Sequence, residues 1–138
     1  MAKYFTLGEL CRSDKALELR IENTPDFTTI ERLNTLMTEC LDKVRHHWGK
    51  PIGVNSGYRS PELNRAVGGE KNSQHLRGEA CDITTGSITG NRKLFDMICT
   101  CDIDFDQLID ENYYKWLHIS YRKEGNRKQV LHKIKNGA

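Results

Sequence analysis

An α+β domain, with helices packed on a mostly antiparallel sheet, is what this 138-residue sequence predicts. Two observations carry that expectation. Apolar residues recur at helical spacing through one long early stretch, and short alternating segments at hairpin spacing crowd the second half. The length suits one domain, expected to span residues 1–138, around a single core.

The elements follow in chain order. Ser13 caps a short helix expected to reach Asn23, where Asn23-Thr24-Pro25 turns the chain. From Thr28 to Trp48, the residues Ile30, Leu33, Met37, Leu41, Val44 and Trp48 form one apolar stripe, and Gly49 and Pro51 stop the helix. His46 and His47 on that helix read as surface residues. Pro51 to Ser56 alternates like a strand. Ser60-Pro61 opens a helix that Gly68-Gly69 ends. Glu79 to Thr84 is a strand, Asn91 to Cys101 a helix, and Phe105–Ile109, Trp116–Tyr121 and Gln129–Ile134 are three further strands.

Composition narrows the class of function. With 37% hydrophobic and 29% charged residues, the chain is ordinary for a globular protein. No apolar run nears the roughly 20 residues that cross a bilayer, so no membrane partner is expected. Met1 to Leu10 lacks a basic segment followed by an apolar stretch, which predicts synthesis without a signal peptide and initial residence in the cytoplasm. Five cysteines (Cys11, Cys40, Cys81, Cys99, Cys101) without a regular framework predict reduced, partly buried thiols. The net charge of +2 does not point to nucleic acid. Between Arg122 and Ala138, however, six Lys or Arg stand against one Glu. A solvated strand and tail accounts for this excess, and so does attraction to an anionic polymer.

Two segments carry the chemistry: SQHLRGEACD (Ser73 to Asp82) and WLHISY (Trp116 to Tyr121). A strand sends alternate side chains to opposite faces, so Asp82 shares a face with Ala80, while Cys81 and Ile83 take the other. In the same way His118 and Ser120 oppose Leu117 and Ile119. A buried carboxylate requires a cation or donors. Two imidazoles and a carboxylate suit zinc, and three protein ligands leave a fourth position for water, as hydrolysis needs. The residues alone leave structural hydrogen bonding open as the other reading.

SQHLRGEACD resembles the Ser-x-His-x-x-Gly-x-Ala-x-Asp signature of the zinc D-alanyl-D-alanine carboxypeptidases. This is the VanY-like family, related in fold to the hedgehog signalling domain and including many phage endolysins. Ser73, His75, Gly78, Ala80 and Asp82 fill every fixed position. The upstream Ser-Gly-Tyr-Arg-Ser motif is present as Ser56 to Ser60, and Trp116 to Ser120 matches a Trp-x-His-x-Ser context. FTLGELCRSD and IENTP resemble small single-domain members from phages and their hosts. The resemblance implies one zinc ion per chain held by His75, Asp82 and His118. It also implies that Arg59 neutralises charge on the substrate or the developing oxyanion, a task that suits its planar fork. Ser73 would bond substrate or a ligand, or simply stabilise a turn.

The sequence departs from many relatives at Lys115, where an acid stands three positions before the second zinc histidine. FDQLIDE offers Asp106, Asp110 and Glu111 instead. Glu111 is the expected general acid or base because it ends a strand beside the zinc strand. Asp110 is the alternative, and Asp106 lies too early. The expected substrate is the stem peptide of bacterial peptidoglycan, cut as a D-Ala-D-Ala carboxypeptidase or an L-Ala-D-Glu endopeptidase would cut it. A phage or prophage lysis enzyme, reaching the wall after release, is the expected setting. The rival from another class is a non-catalytic zinc module that binds wall peptide or a protein partner.

Overall fold

A computed structural model describes residues 2–134; Lys135 and the rest of the basic tail lie outside the described residues. Among the described residues six α-helices and five strands occur in the order α1 (Leu7–Cys11), α2 (Asp14–Leu19), α3 (Phe27–Leu36), α4 (Asp42–Trp48), β1 (Gly53–Ser56), α5 (Pro61–Ala66), β2 (Ala80–Thr84), α6 (Ile88–Thr100), β3 (Gln107–Glu111), β4 (Trp116–Ser120) and β5 (Gln129–Lys133). A π-helical segment, Met37–Leu41, joins α3 to α4, and a 3-10 helix, Gln74–Arg77, precedes β2. No helix among the described residues is long and apolar enough to cross a membrane.

The expected stripe becomes the core contribution of the long helix. Leu33, Met37, Leu41 and Val44 are buried, joined by Leu36 and Cys40, and Trp48 packs at the margin. Asp26 caps the start by accepting from the Thr29 amide, and Gly49 ends the rod at φ 73°, where a residue without Cβ is at ease. His46 and His47 are exposed. All five cysteines are free thiols, with Cys40 and Cys81 buried.

The helical expectations differ from the structure at the amino terminus. Helix α2 stops at Leu19, because Arg20 takes a left-handed conformation, so the span to Asn23 is not helical. An unforeseen helix, α1, is started by a reciprocal capping box between Thr6 and Glu9. It buries Leu10.

The sheet has the order β1-β2-β4-β3-β5. Its first three pairings are antiparallel, whereas β5 runs parallel to β3. That direction follows from where the chain re-enters. The amides of Lys128 and Gln129 donate to the carbonyls of Phe105 and Asp106, which pins β5 at the start of β3. Strand β3 begins at Gln107, two residues later than the expected Phe105–Ile109, and so carries Glu111 as its last residue. Cys81, Ile83, Leu108, Leu117 and Ile119 face the core between sheet and helices. The alternate residues of the same strands face a groove.

Candidate active site

Register assembles the site. Asp82 on β2 pairs with His118 on β4, and directly paired residues project to the same face. On the other side of β2, Ser56 at the end of β1 lies opposite Asp82. The Ser56–Ser60 segment is thereby delivered to the metal-ligand candidates. His75 arrives from the 3-10 helix, which Ser73 caps by accepting from the His75 amide at 3.2 Å.

The donor atoms of His75, Asp82 and His118 all lie within 4.8 Å of one another. His75 Nε2 and His118 Nδ1 approach the same oxygen, Asp82 Oδ1, at 3.3 and 3.2 Å. Ligands about 2.0–2.2 Å from a tetrahedral ion stand roughly 3.3 Å apart, so this spacing fits a cation between them. The tautomer of His75 supports the same fit. Its Nδ1–H donates to the Gly57 carbonyl at 2.7 Å, which leaves Nε2 as the nitrogen turned to the carboxylate and able to offer a lone pair to a cation. Burial works against the charged form of Asp82. When protonated, the two imidazoles outweigh it through their charge and hydrogen bonds and hold the carboxyl well below the ordinary range.

Arg59 completes this end of the site. Its Nη2 donates to Asp82 Oδ2 at 3.3 Å, Nε to Ser56 Oγ at 3.1 Å, and Nη1 to Asn64 Oδ1 at 3.3 Å. Burial lowers its pKa, while Asp82 and Glu111 pull the other way, which places the Glu111 charge within electrostatic reach of the guanidinium. A planar fork anchored on three sides suits recognition of a carboxylate or oxyanion.

The three acids of FDQLIDE part company. Glu111 pairs with Trp116 and lines the groove, on the same face as His118. Asp110 pairs with Leu117 and belongs to the opposite face, where its carboxylate accepts from the Tyr114 amide and bonds His132 Nδ1 at 3.0 Å. Asp106 has no exposed surface, and its carboxylate accepts from Arg127 Nε and Nη2 and from Gln74 Nε2. Lys115 is exposed in the turn between β3 and β4.

The groove encloses about 990 Å³ and runs from Arg59, His75, Asp82 and His118 past Glu111 and Trp116 to Arg127 and Lys133. A peptide could lie along it, held over three convergent metal-ligand candidates with an acid and an arginine beside them.

Comparison with known sequences identifies the family. The sequence pattern of the peptidase M15 family matches residues 3–120, most of the chain. The chain belongs to the peptidase M15 family. A zinc D-Ala-D-Ala carboxypeptidase of Streptomyces albus G is 48% identical over 58 residues, which are 41% of this chain and 23% of that protein. The M15 chain thus aligns with about a quarter of that relative's length.

Several residues of this M15 chain matter in ways the linear sequence concealed. A Cβ on Gly57 would sit 2.2 Å from the Leu10 carbonyl oxygen, so only glycine lets α1 approach the segment that holds His75 and Arg59. Gly78 combines φ 75° with a Cβ position 2.9 Å from Thr29. Asn23, expected only as a turn residue, donates to the carbonyls of Cys11 and Tyr58 and accepts from the Ser60 amide. Gln74 ties the helix bearing His75 to Asp106, and its Oε1 is buried without a hydrogen-bond partner among the described residues. A Gln beside a signature histidine was the only linear hint of that tie.

Proposed function

We propose that this M15 chain is a zinc-dependent peptidase acting on the stem peptides of bacterial peptidoglycan. One observation carries the reading: three ligand-type side chains converge on the wall of a long groove that Arg59 and Glu111 also line. His75 through Nε2, His118 through Nδ1 and Asp82 would hold the zinc, in the open three-ligand set expected of a hydrolytic site. When bound, zinc polarises the peptide carbonyl and lowers the pKa of water.

The remaining work falls to the chain's own residues. Glu111, on the zinc-ligand face of β3, accepts the proton of the attacking water and returns it to the leaving amine. Arg59 holds negative charge on the substrate or on the tetrahedral oxygen. Ser73 orients His75 by capping its helix, and because it also lines the groove its hydroxyl proton is available to substrate. Cutting at D-Ala-D-Ala and cutting at L-Ala-D-Glu would use this same constellation. The similarity of FTLGELCRSD and IENTP to small phage members supports a role in wall lysis. The non-catalytic alternative drew on Lys115, and an acid on the groove face of β3 supplies what Lys115 lacks.

The test is digestion of purified peptidoglycan by the zinc-loaded chain, with fragments identified by mass spectrometry. New amino termini or released D-Ala, abolished by a chelator and restored by zinc, is the expected result. A folded, zinc-loaded chain that releases no fragment would transfer the site to the binding-module reading.

A further inference from the structure

We propose that the basic wall formed by β5 and the loop before it binds a substrate carboxylate lying two or three residues from the peptide bond that is cut. This inference rests on the peptidase reading and adds a substrate requirement to it.

The groove is lined by five cationic side chains, Arg59, Arg77, Arg122, Arg127 and Lys133, against Glu70, Asp82 and Glu111. Three of the cations are already engaged: Arg59 with Asp82, Arg77 with Glu79 and Arg127 with Asp106. Arg122 and Lys133 are exposed and form no ion pair among the described residues. Both belong to the basic carboxy-terminal stretch, whose described part, residues 122–134, the fold turns onto the substrate groove. The clamp of Arg127 on the fully buried Asp106 carboxylate fixes it there.

Sheet geometry supplies the distance. Lys133 on β5 is in register with Glu111 on β3, and Trp116 on β4 is the next partner across. Strand β5 therefore stands two strand spacings, roughly 10 Å, from the strand that carries His118. An extended peptide advances about 3.3–3.6 Å per residue, so a chain leaving the metal site reaches the basic wall after two or three residues. An anionic group at that point meets the exposed Lys133, whereas Arg122, two residues past the end of β4, flanks the groove at the opposite end of these strands. A glutamate carboxylate of a stem peptide has the required chemistry, and its neutral amide does not.

The experiment compares two synthetic stem peptides, identical except for a free carboxylate or a carboxamide two to three residues from the scissile bond. The zinc-loaded full chain is assayed for kcat/KM on each, at low and at high salt. The acid peptide should be preferred, by about two- to fivefold for each exposed cation engaged. The preference should shrink as salt rises. It should fall toward one in Lys133→Gln and invert in Lys133→Glu, whereas Arg122→Gln, at the other end of the groove, should lower it less. Because the readout is a ratio within one protein sample, a partly misfolded variant does not distort it. Equal rates on the two wild-type substrates, or an undiminished preference in the variants, would overturn the proposal while leaving the peptidase reading intact. Cleavage of neither peptide nor of whole peptidoglycan would remove the peptidase reading, and this inference with it.

Discussion

Asp82 and Asp106 are both buried carboxylates, yet their surroundings assign them opposite tasks. Asp82 is approached by two imidazoles at 3.3 and 3.2 Å that converge on one oxygen, beside an open groove. Asp106 is gripped by the fork of Arg127 and by the Gln74 amide, and no surface of it is exposed. Imidazoles carry lone pairs and can share a cation with the carboxylate, whereas a guanidinium is always a donor. A carboxylate saturated by permanent donors is a clamp; one facing ligand nitrogens is a metal-site candidate. Partner chemistry, more than burial, separates the two.

Breaking the Asp82 side of this comparison should have the largest effect. In His118→Ala the cluster loses one of three ligands, so both zinc content and peptidase activity should fall to background while the fold persists. Metal analysis on the purified variant checks this. Full zinc occupancy would take His118 out of the site.

Next in size is the acid on the groove face. Glu111→Gln removes a basic oxygen and keeps the shape, and loss of a general base costs on the order of a hundredfold to ten-thousandfold in kcat. Zinc content and melting temperature should match the wild type. Asp110→Asn, on the opposite face, should by contrast leave kcat nearly unaltered. Reversed outcomes for this pair would move the proton-transfer role to Asp110.

The clamp side should answer in stability. Asp106→Ala strips charged hydrogen bonds from Arg127 and Gln74 and should cost about 2–3 kcal/mol in urea unfolding at neutral pH. Its hydrogen bonds with Arg127, chiefly, hold the Asp106 pKa below its ordinary value. The unfolded chain therefore binds the proton more readily, and stability rises with pH through that range. The contribution is complete above the unfolded carboxylate value near 4 and disappears as pH falls through the lower folded value. The gap between wild type and variant should accordingly close on acidification. A gap that stays constant to pH 2 would show that Asp106 acts by packing alone.

The smallest effect is expected at Arg59, which touches the Asp82 cluster without being a ligand candidate. Arg59→Lys keeps the charge but loses the fork bonded to Ser56, Asn64 and Asp82, so kcat/KM should drop about tenfold with zinc retained. Unaltered kinetics would reduce Arg59 to a scaffold for Asp82.

The chain by itself determined the features that depend on near neighbours. Helical spacing exposed the core stripe of the long helix, and strand alternation placed Asp82 and His118 opposite their apolar flanks, because both periodicities are local properties of the backbone. The resemblance of two short motifs, each read from consecutive residues, brought His75, Asp82 and His118 to notice. Only the tertiary structure decided what depended on distant partners. The direction of β5, the choice of Glu111 rather than Asp110 for the groove face, the glycine at position 57 and the clamp of Arg127 on Asp106 all rest on pairings between remote segments. A buried acid announces that it needs a partner; which residue supplies it, 21 positions later in the case of Asp106, is settled when the sheet closes.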